Sequence, residues 1–195
     1  DKRIGNRFLN AGLGWGGSCF GKDTAALVAT ARDYRLEMPI IESARAVNYS
    51  QRVLAVDLLQ EKLKILKGKH VALLGFSFKP NTDDIREAPA LDMIDVLISE
   101  GASVTAFDPE AMENVQQLIK DKISYTENQY DALEGADALV IATEWNEFRT
   151  PDFDKVLALL KNKVIFDGRN LFELDRMKEL GFHYESVGRA VVASK

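Results

Sequence analysis

The chain changes its hydrophobic rhythm near residue 68. Before that point, apolar positions recur at Ile40, Ala44, Val47, Leu54, Leu58, Leu59, Leu63 and Leu66. That is the spacing of one face of a helix. Pro39 suits a first helical position, and no Gly or Pro follows it until Gly68. The pattern predicts a helix from Pro39 to Lys67, on the order of 40 Å long at 1.5 Å per residue. So long a helix predicts a spine between domains, a dimer element, or both, with a plain surface helix as the alternative. Upstream, Thr24 to Arg35 predicts a shorter helix that ends at Leu36-Glu37-Met38-Pro39.

Beyond residue 68 the rhythm shortens. Apolar runs at His70–Gly75, Ser103–Phe107, Ala138–Ala142, Val164–Phe166 and Phe182–Tyr184 read as buried strands. Between them, Ala88–Ser99, Pro109–Lys120, Phe153–Leu160 and Glu173–Leu180 read as helices. This alternation predicts an α/β fold: a mostly parallel sheet with helices on both faces. The expected division is a helical portion over 1–67, ending in the long connecting helix, and the sheet-bearing domain over 68–195.

Composition narrows the setting. The 195 residues hold one cysteine, which excludes an internal disulfide framework and fits a reducing, cytoplasmic compartment. No apolar run approaches the roughly 20 residues of a membrane span, and no signal-peptide pattern opens the chain. No membrane partner is expected. A net charge of −5 argues against general nucleic-acid affinity. An anionic ligand would need a local cluster of Lys and Arg. Asp1-Lys2-Arg3-Ile4-Gly5 has no initiating Met and enters patterned sequence at once. The expectation is a fragment whose N-terminal portion is absent.

The cysteine lies in Gly16-Gly17-Ser18-Cys19-Phe20-Gly21-Lys22-Asp23. The glycines free the backbone to turn, and a helix follows. Cys19 is thus expected at a helix N-terminus, where the dipole and Lys22 favour a thiolate, the nucleophilic form. The plain alternative is a buried small hydrophobe; the double glycine and the Lys-Asp pair weigh against it. Gly12-Leu13-Gly14-Trp15-Gly16-Gly17 matches a dinucleotide pattern literally, but no strand precedes it and no βαβ unit surrounds it. These glycines instead suit close approach of backbone to a ligand.

Two further loops follow predicted strands. Phe76–Glu87 contains Phe78, Lys79 and Arg86; Asp167-Gly168-Arg169-Asn170 follows the fourth strand. Ligands bind outside the carboxyl ends of strands in such sheets. Phe78, Lys79 and Arg169 together suit a nucleotide, with an apolar surface for a base and cations for phosphates. Asp83, between Thr82 and Asp84, suits a turn-forming role, and Trp145 suits packing. His70 and His183 have no ligand-spaced partners, so no metal site is expected.

Taken together, the 16–23 segment, Phe-Lys-Pro-Asn-Thr-Asp-Asp-x-Arg-Glu at 78–87 and Asp-Gly-Arg-Asn at 167–170 resemble the UDP-glucose/GDP-mannose dehydrogenase family along the whole chain. The resemblance implies a Rossmann-like UDP-binding domain and NAD-dependent, four-electron oxidation of a nucleotide sugar. It implies that Cys19 traps an aldehyde as a thiohemiacetal that proceeds to a thioester, and that Asp23 helps activate water. By the same likeness Cys19, Lys22 and Arg86 face NAD. Phe8, Leu9, Asn10, Gly14, Trp15 and Gly16 surround the sugar and diphosphate, and Phe78, Lys79 and Arg169 hold the UDP part. Arg3 reaches the sugar of a neighbouring subunit, in a homodimer formed through the long helix. UDP-glucose is favoured over GDP-mannose or a UDP-N-acetylhexosamine. Gly21 stands where many members carry Pro. The NAD-binding domain and the first part of the central domain have no counterpart here, so the chain alone is not expected to turn over. A non-catalytic nucleotide-sugar-binding and dimerisation module, or a cysteine hydrolase pairing Cys19 with His70 or His183, are the competing readings.

Overall fold

A computed structural model describes residues 10–193; Arg3, Phe8 and Leu9 lie outside the described residues. Two helices come first, α1 (Phe20–Asp33) and α2 (Pro39–Leu63). α1 starts four residues earlier than the pattern predicted, which draws Lys22 and Asp23 into its first turn. α2 ends before Lys67 because Lys64 turns to a left-handed φ of 68°. That turn lets Leu66 leave the helix axis and bury itself in the core.

A six-stranded sheet follows, with β1 (His70–Leu74), β2 (Ser103–Phe107), β3 (Ser124–Tyr125), β4 (Ala138–Ile141), β5 (Val164–Asp167) and β6 (His183–Ser186). Every pairing is parallel and the order is β3-β2-β1-β4-β5-β6. The mostly parallel sheet expected from the sequence is thus all-parallel among its named strands, with one antiparallel bridge from Tyr184 to Val192. The connecting helices are α3 (Pro89–Ser99), α4 (Met112–Ile119), α5 (Gln129–Leu133), α6 (Asn146–Arg149), α7 (Phe153–Leu159) and α8 (Leu174–Leu180).

Side-chain alternation along the strands builds two cores. Val71 and Leu73 of β1 face a cluster with Val56 and Leu59 of α2, Met93, Ile94 and Leu97 of α3, and Val115 of α4. Ala72 and Leu74 face the other way, toward Leu133, Phe148, Val156, Phe182 and Tyr184. Both faces are covered, so the strands read as continuous apolar runs. α2 packs along α3 and reaches β5. Its inward stripe is Asn48, Arg52, Ala55, Val56 and Leu59. The apolar positions that suggested its first half face outward: Ile40 is 84% exposed and Val47 58%. No described helix is long and apolar enough to cross a membrane.

Candidate functional site

The strand order reverses between β1 and β4, and their carboxyl ends open the crevice where ligands bind in such sheets. Two buried carboxylates shape its rim. Asp108, just after β2, accepts from the N–H groups of Phe76 at 2.6 Å and Ser77 at 3.1 Å, and from Trp145 Nε1 at 3.1 Å. Its other oxygen accepts from Glu110 and Ala111 N–H at 3.0 and 2.8 Å. This holds residues 109–111 as a turn, so α4 starts at Met112 rather than Pro109. Trp145 is a packing residue tied to Asp108, as its sequence context suggested.

Asp167 ends β5 and orders the loop after it. It accepts from the N–H groups of Arg169 at 2.9 Å, Leu171 at 2.6 Å and Phe172 at 3.2 Å, and from Tyr184 OH at 2.8 Å. Burial, reinforced by that carboxylate, pushes the Tyr184 phenol far above its usual range. Across the crevice, Thr143 Oγ1 donates to the Ser77 carbonyl at 2.5 Å. Asp84 forms the Asx-type turn, accepting from Arg86 N–H at 3.0 Å. Asp83 is instead held by Asn114 Nδ2, at 3.0 Å from its carbonyl and 3.2 Å from its carboxylate.

Residues 10–19 lie over this crevice as an irregular loop. The glycines there make room for protein. A Cβ at Gly16 would lie 2.5 Å from the Glu87 carbonyl, and one at Gly17, already at φ +83°, would lie 2.9 Å from the Phe78 ring. Gly17 N–H donates to the Arg86 carbonyl at 2.8 Å. The close approach expected of these glycines therefore serves the 78–87 loop itself. The helix that follows them, α1, leads into α2 and not into a parallel strand, unlike the helix of a dinucleotide fingerprint.

The candidate site residues converge here. Phe78 is half-buried against Gly16 and Gly17, with Lys79 Nζ 5.2 Å from its ring centre. Lys79 is exposed. Arg169 Nε donates to the Ala142 carbonyl at 2.7 Å and lies 3.2 Å from Glu144 Oε2. Its Nη1 lies beneath Gly12, where a Cβ would be 3.1 Å away, while Nη2 is buried without a partner among the described residues. Burial pulls this guanidinium below its usual range, opposed by Glu144 and Asp167. Trp15 and Gly14 are half-buried and Asn10 is exposed.

Cys19 is the N-cap residue of α1 and is exposed. Asp23 N–H closes the first helical turn on its carbonyl at 2.8 Å. Ser18 Oγ lies 3.7 Å from Sγ. Lys22 Nζ is paired with the Asp23 carboxylate at 2.9 Å, both exposed. The hydrogen bond and charge of Asp23 raise the Lys22 ammonium, with a smaller contribution from Cys19. Arg86 is raised mainly by Asp84, which it grips through Nε at 2.9 Å and Nη2 at 2.7 Å, and it too feels Cys19. Asp84 is lowered first by that same hydrogen bond. Lys22 and Arg86 thus lie near an exposed thiol at the start of α1, each paired with a carboxylate of its own.

The histidines stand elsewhere. His70 and His183 begin β1 and β6, at the amino edge of the sheet. At ~3.3 Å per residue, five-residue β1 sets that edge about 15 Å from the cysteine loop. His70 Nε2 is 2.8 Å from Thr105 Oγ1, and His183 Nε2 is 2.6 Å from Glu185 Oε1. This geometry removes the cysteine-hydrolase reading. No metal-holding cluster of His, Cys, Asp and Glu occurs among the described residues. The sequence reading missed Asn48, Arg52, Asp108 and Glu144. The signal for the first two is their register: polar residues continuing the buried stripe of Ala55, Val56 and Leu59.

Comparison with known proteins agrees with this geometry. Residues 72–174 match the UDP binding domain of the UDP-glucose/GDP-mannose dehydrogenase family, and residues 1–50 match its central domain. The chain is 44% identical over 190 residues to UDP-glucose 6-dehydrogenase of Rhizobium meliloti, covering 97% of this chain and 43% of that protein. It is 44% identical over 192 residues to UDP-glucose 6-dehydrogenase TuaD of Bacillus subtilis, covering 98% and 42%. Among solved structures, a UDP-glucose dehydrogenase from Pyrobaculum islandicum aligns with TM-score 0.85 at 38% identity, covering 97% of this chain and 41% of that one. The GDP-mannose dehydrogenase of Pseudomonas aeruginosa aligns with TM-score 0.72 at 25% identity, covering 87% and 39%. The chain therefore spans less than half the length of the relatives it matches.

Proposed function

Because the chain belongs to the UDP-glucose/GDP-mannose dehydrogenase family, we propose that it carries the nucleophile and the UDP-sugar site of an NAD-dependent oxidation of UDP-glucose to UDP-glucuronate. The observation that carries this reading is the seating of the Cys19 loop directly on Phe78 and Arg86, beside Arg169. A UDP moiety in the crevice would meet Phe78 and the cations Lys79 and Arg169. Its sugar would reach back along Gly14, Trp15 and Gly16 toward the thiol. UDP-glucose is favoured by the higher identity to UDP-glucose dehydrogenases than to the GDP-mannose enzyme.

The chemistry assigns each side chain a task. Cys19 Sγ bonds to the carbonyl carbon of a sugar aldehyde, whose oxygen takes a proton. NAD, when bound, supplies the hydride acceptor for the oxidations. Asp23, one turn along α1, orients the water that cleaves the resulting thioester and frees the thiol. Lys22 and Arg86 fit a dinucleotide as exposed cations beside Cys19. The described residues add no glycine-rich turn after a strand for its diphosphate: β1 leads into Gly75-Phe76-Ser77-Phe78. Turnover is therefore assigned to the full-length enzyme and nucleotide-sugar binding to this chain.

Calorimetric titration of the chain with UDP-glucose, GDP-mannose and UDP-N-acetylglucosamine tests the reading. UDP-glucose should bind tightest, and Lys79→Ala should weaken it about tenfold by removing a phosphate-facing charge. Binding of none of the three removes the proposal; tighter binding of GDP-mannose reassigns the substrate. The homodimer is proposed through the long helix α2, whose exposed Ile40 and Val47 add to Leu27 of α1 and Tyr34 and Leu36 of the turn between the helices. Light scattering should give twice the chain mass; a monomer at high concentration counts against it.

A further inference from the structure

We propose that Asn48 and Arg52 of α2 are positioning residues that lock the cysteine loop to the nucleotide loop and so fix where Cys19 stands. The inference deepens the function proposed above and rests on it for its meaning in catalysis. Both side chains are buried, at 6% and 5% exposure, where an amide and a guanidinium are tolerated only when bonded. Asn48 grips one residue at two points. Its Oδ1 accepts from Trp15 N–H at 2.6 Å, and its Nδ2 donates to the Trp15 carbonyl at 3.2 Å. Only an amide side chain offers an acceptor and a donor so placed. The loop is pressed hard onto it: a Cβ at Gly14 would lie 2.4 Å from Asn48 Oδ1.

Arg52, one turn further, joins three segments. Its Nη2 donates to the Trp15 carbonyl at 3.3 Å, and its Nη1 lies 2.8 Å from Asp92 of α3 and 3.3 Å from Glu87. Glu87 adopts a left-handed φ of 52°, rare outside glycine, and its carbonyl sits against Gly16. Such strain persists only where the surroundings hold it. Among the described residues, the side chains that hydrogen-bond the backbone of residues 10–18 are Asn48 and Arg52. Both act through Trp15, four residues before the thiol. Their contribution is the relative placement of Cys19, Arg86 and Phe78.

Cys19 is the sole cysteine of the chain, so alkylation by the anionic reagent iodoacetate reads one thiol. It is already exposed, so freeing the loop adds little access. Freeing it carries the sulfur away from Arg86, whose charge attracts the anionic reagent, and Asn48→Ala should slow alkylation about tenfold. Asn48→Asp keeps the acceptor for Trp15 N–H, loses the donor, and should slow it about threefold. Leu59→Ala, a core truncation on the same helix, controls for general destabilisation and should change the rate less than about twofold. An unchanged rate in Asn48→Ala, or an equal change in Leu59→Ala, overturns the proposal. If Asn48→Ala does not fold, a wild-type rate in Asn48→Asp overturns it. These rates need no nucleotide. Failure of UDP-glucose to alter wild-type alkylation would count against the proposed function and leave the test of the clamp intact.

Discussion

Replacing Cys19 by alanine in the full-length enzyme should lower acid formation about 10⁴-fold or more, the scale of losing a covalent nucleophile. The same change should leave UDP-glucose affinity of the chain within about twofold and stability within about 0.5 kcal/mol. The separation follows from the position of the residue. Cys19 is exposed and caps α1 without a side-chain cap bond, and among the described residues its thiol has one polar contact, Ser18 Oγ. It contributes little to packing, so its removal is felt in chemistry alone. Phe78, Lys79 and Arg169 keep their partners in the variant. Cys19→Ser should be nearly as impaired, because a hydroxyl at neutral pH is a far poorer nucleophile than a thiolate. Steady-state NADH formation with UDP-glucose, beside titration of UDP-glucose into the variant chain, makes the measurement. Acid formation near the wild-type rate would remove the covalent mechanism. Equal loss of binding and turnover would mean that Cys19 is structural.

The largest stability effect should come from Asp108→Ala. Two carboxylate oxygens there receive N–H groups from Phe76, Ser77, Glu110 and Ala111 and the indole of Trp145. Asp108 itself is 1% exposed, so water cannot readily replace it. Truncation leaves several buried donors unpaired, at about 1–3 kcal/mol each before relaxation. A net loss of about 4 kcal/mol is expected, in the range reserved for broken buried networks. Asp108→Asn should fall between, since its amide retains one acceptor but turns an NH₂ toward donors. Urea unfolding followed by far-UV circular dichroism measures this. A loss under about 1 kcal/mol would show that the network is dispensable. The variant should also bind UDP-glucose less tightly, because Phe76 and Ser77 lead directly into Phe78 and Lys79.

The strands that carry this site were readable because both their faces are buried. Val71–Leu74 and Ala138–Ile141 are apolar throughout, and such runs between helical segments have few other readings. Ser124–Tyr125 escaped because it is a two-residue edge strand held by pairing with β2. Gln129–Leu133 is a single turn fixed by Asn128, whose Oδ1 accepts from Tyr130 and Asp131 N–H. Neither is long enough to show a period. The long helix was legible in existence but not in facing. Its early apolar residues Ile40 and Val47 point outward, while Asn48 and Arg52 point in, since a buried loop there offers the backbone groups they bond.

The sequence by itself determined the chemistry available: one thiol behind two glycines, a Lys-Asp pair after it, and cations in two loops following strands. Those are local facts, set by residue identity and short-range backbone preference. The tertiary structure decided which of them meet. It placed the cysteine loop at the point where strand order reverses, spent its glycines on contact with Phe78 and Glu87, and moved both histidines to the far edge of the sheet. It also recruited Asn48 and Arg52, distant in sequence, to hold Trp15. Such juxtapositions arise from long-range packing between buried surfaces, and no window of neighbouring residues contains them.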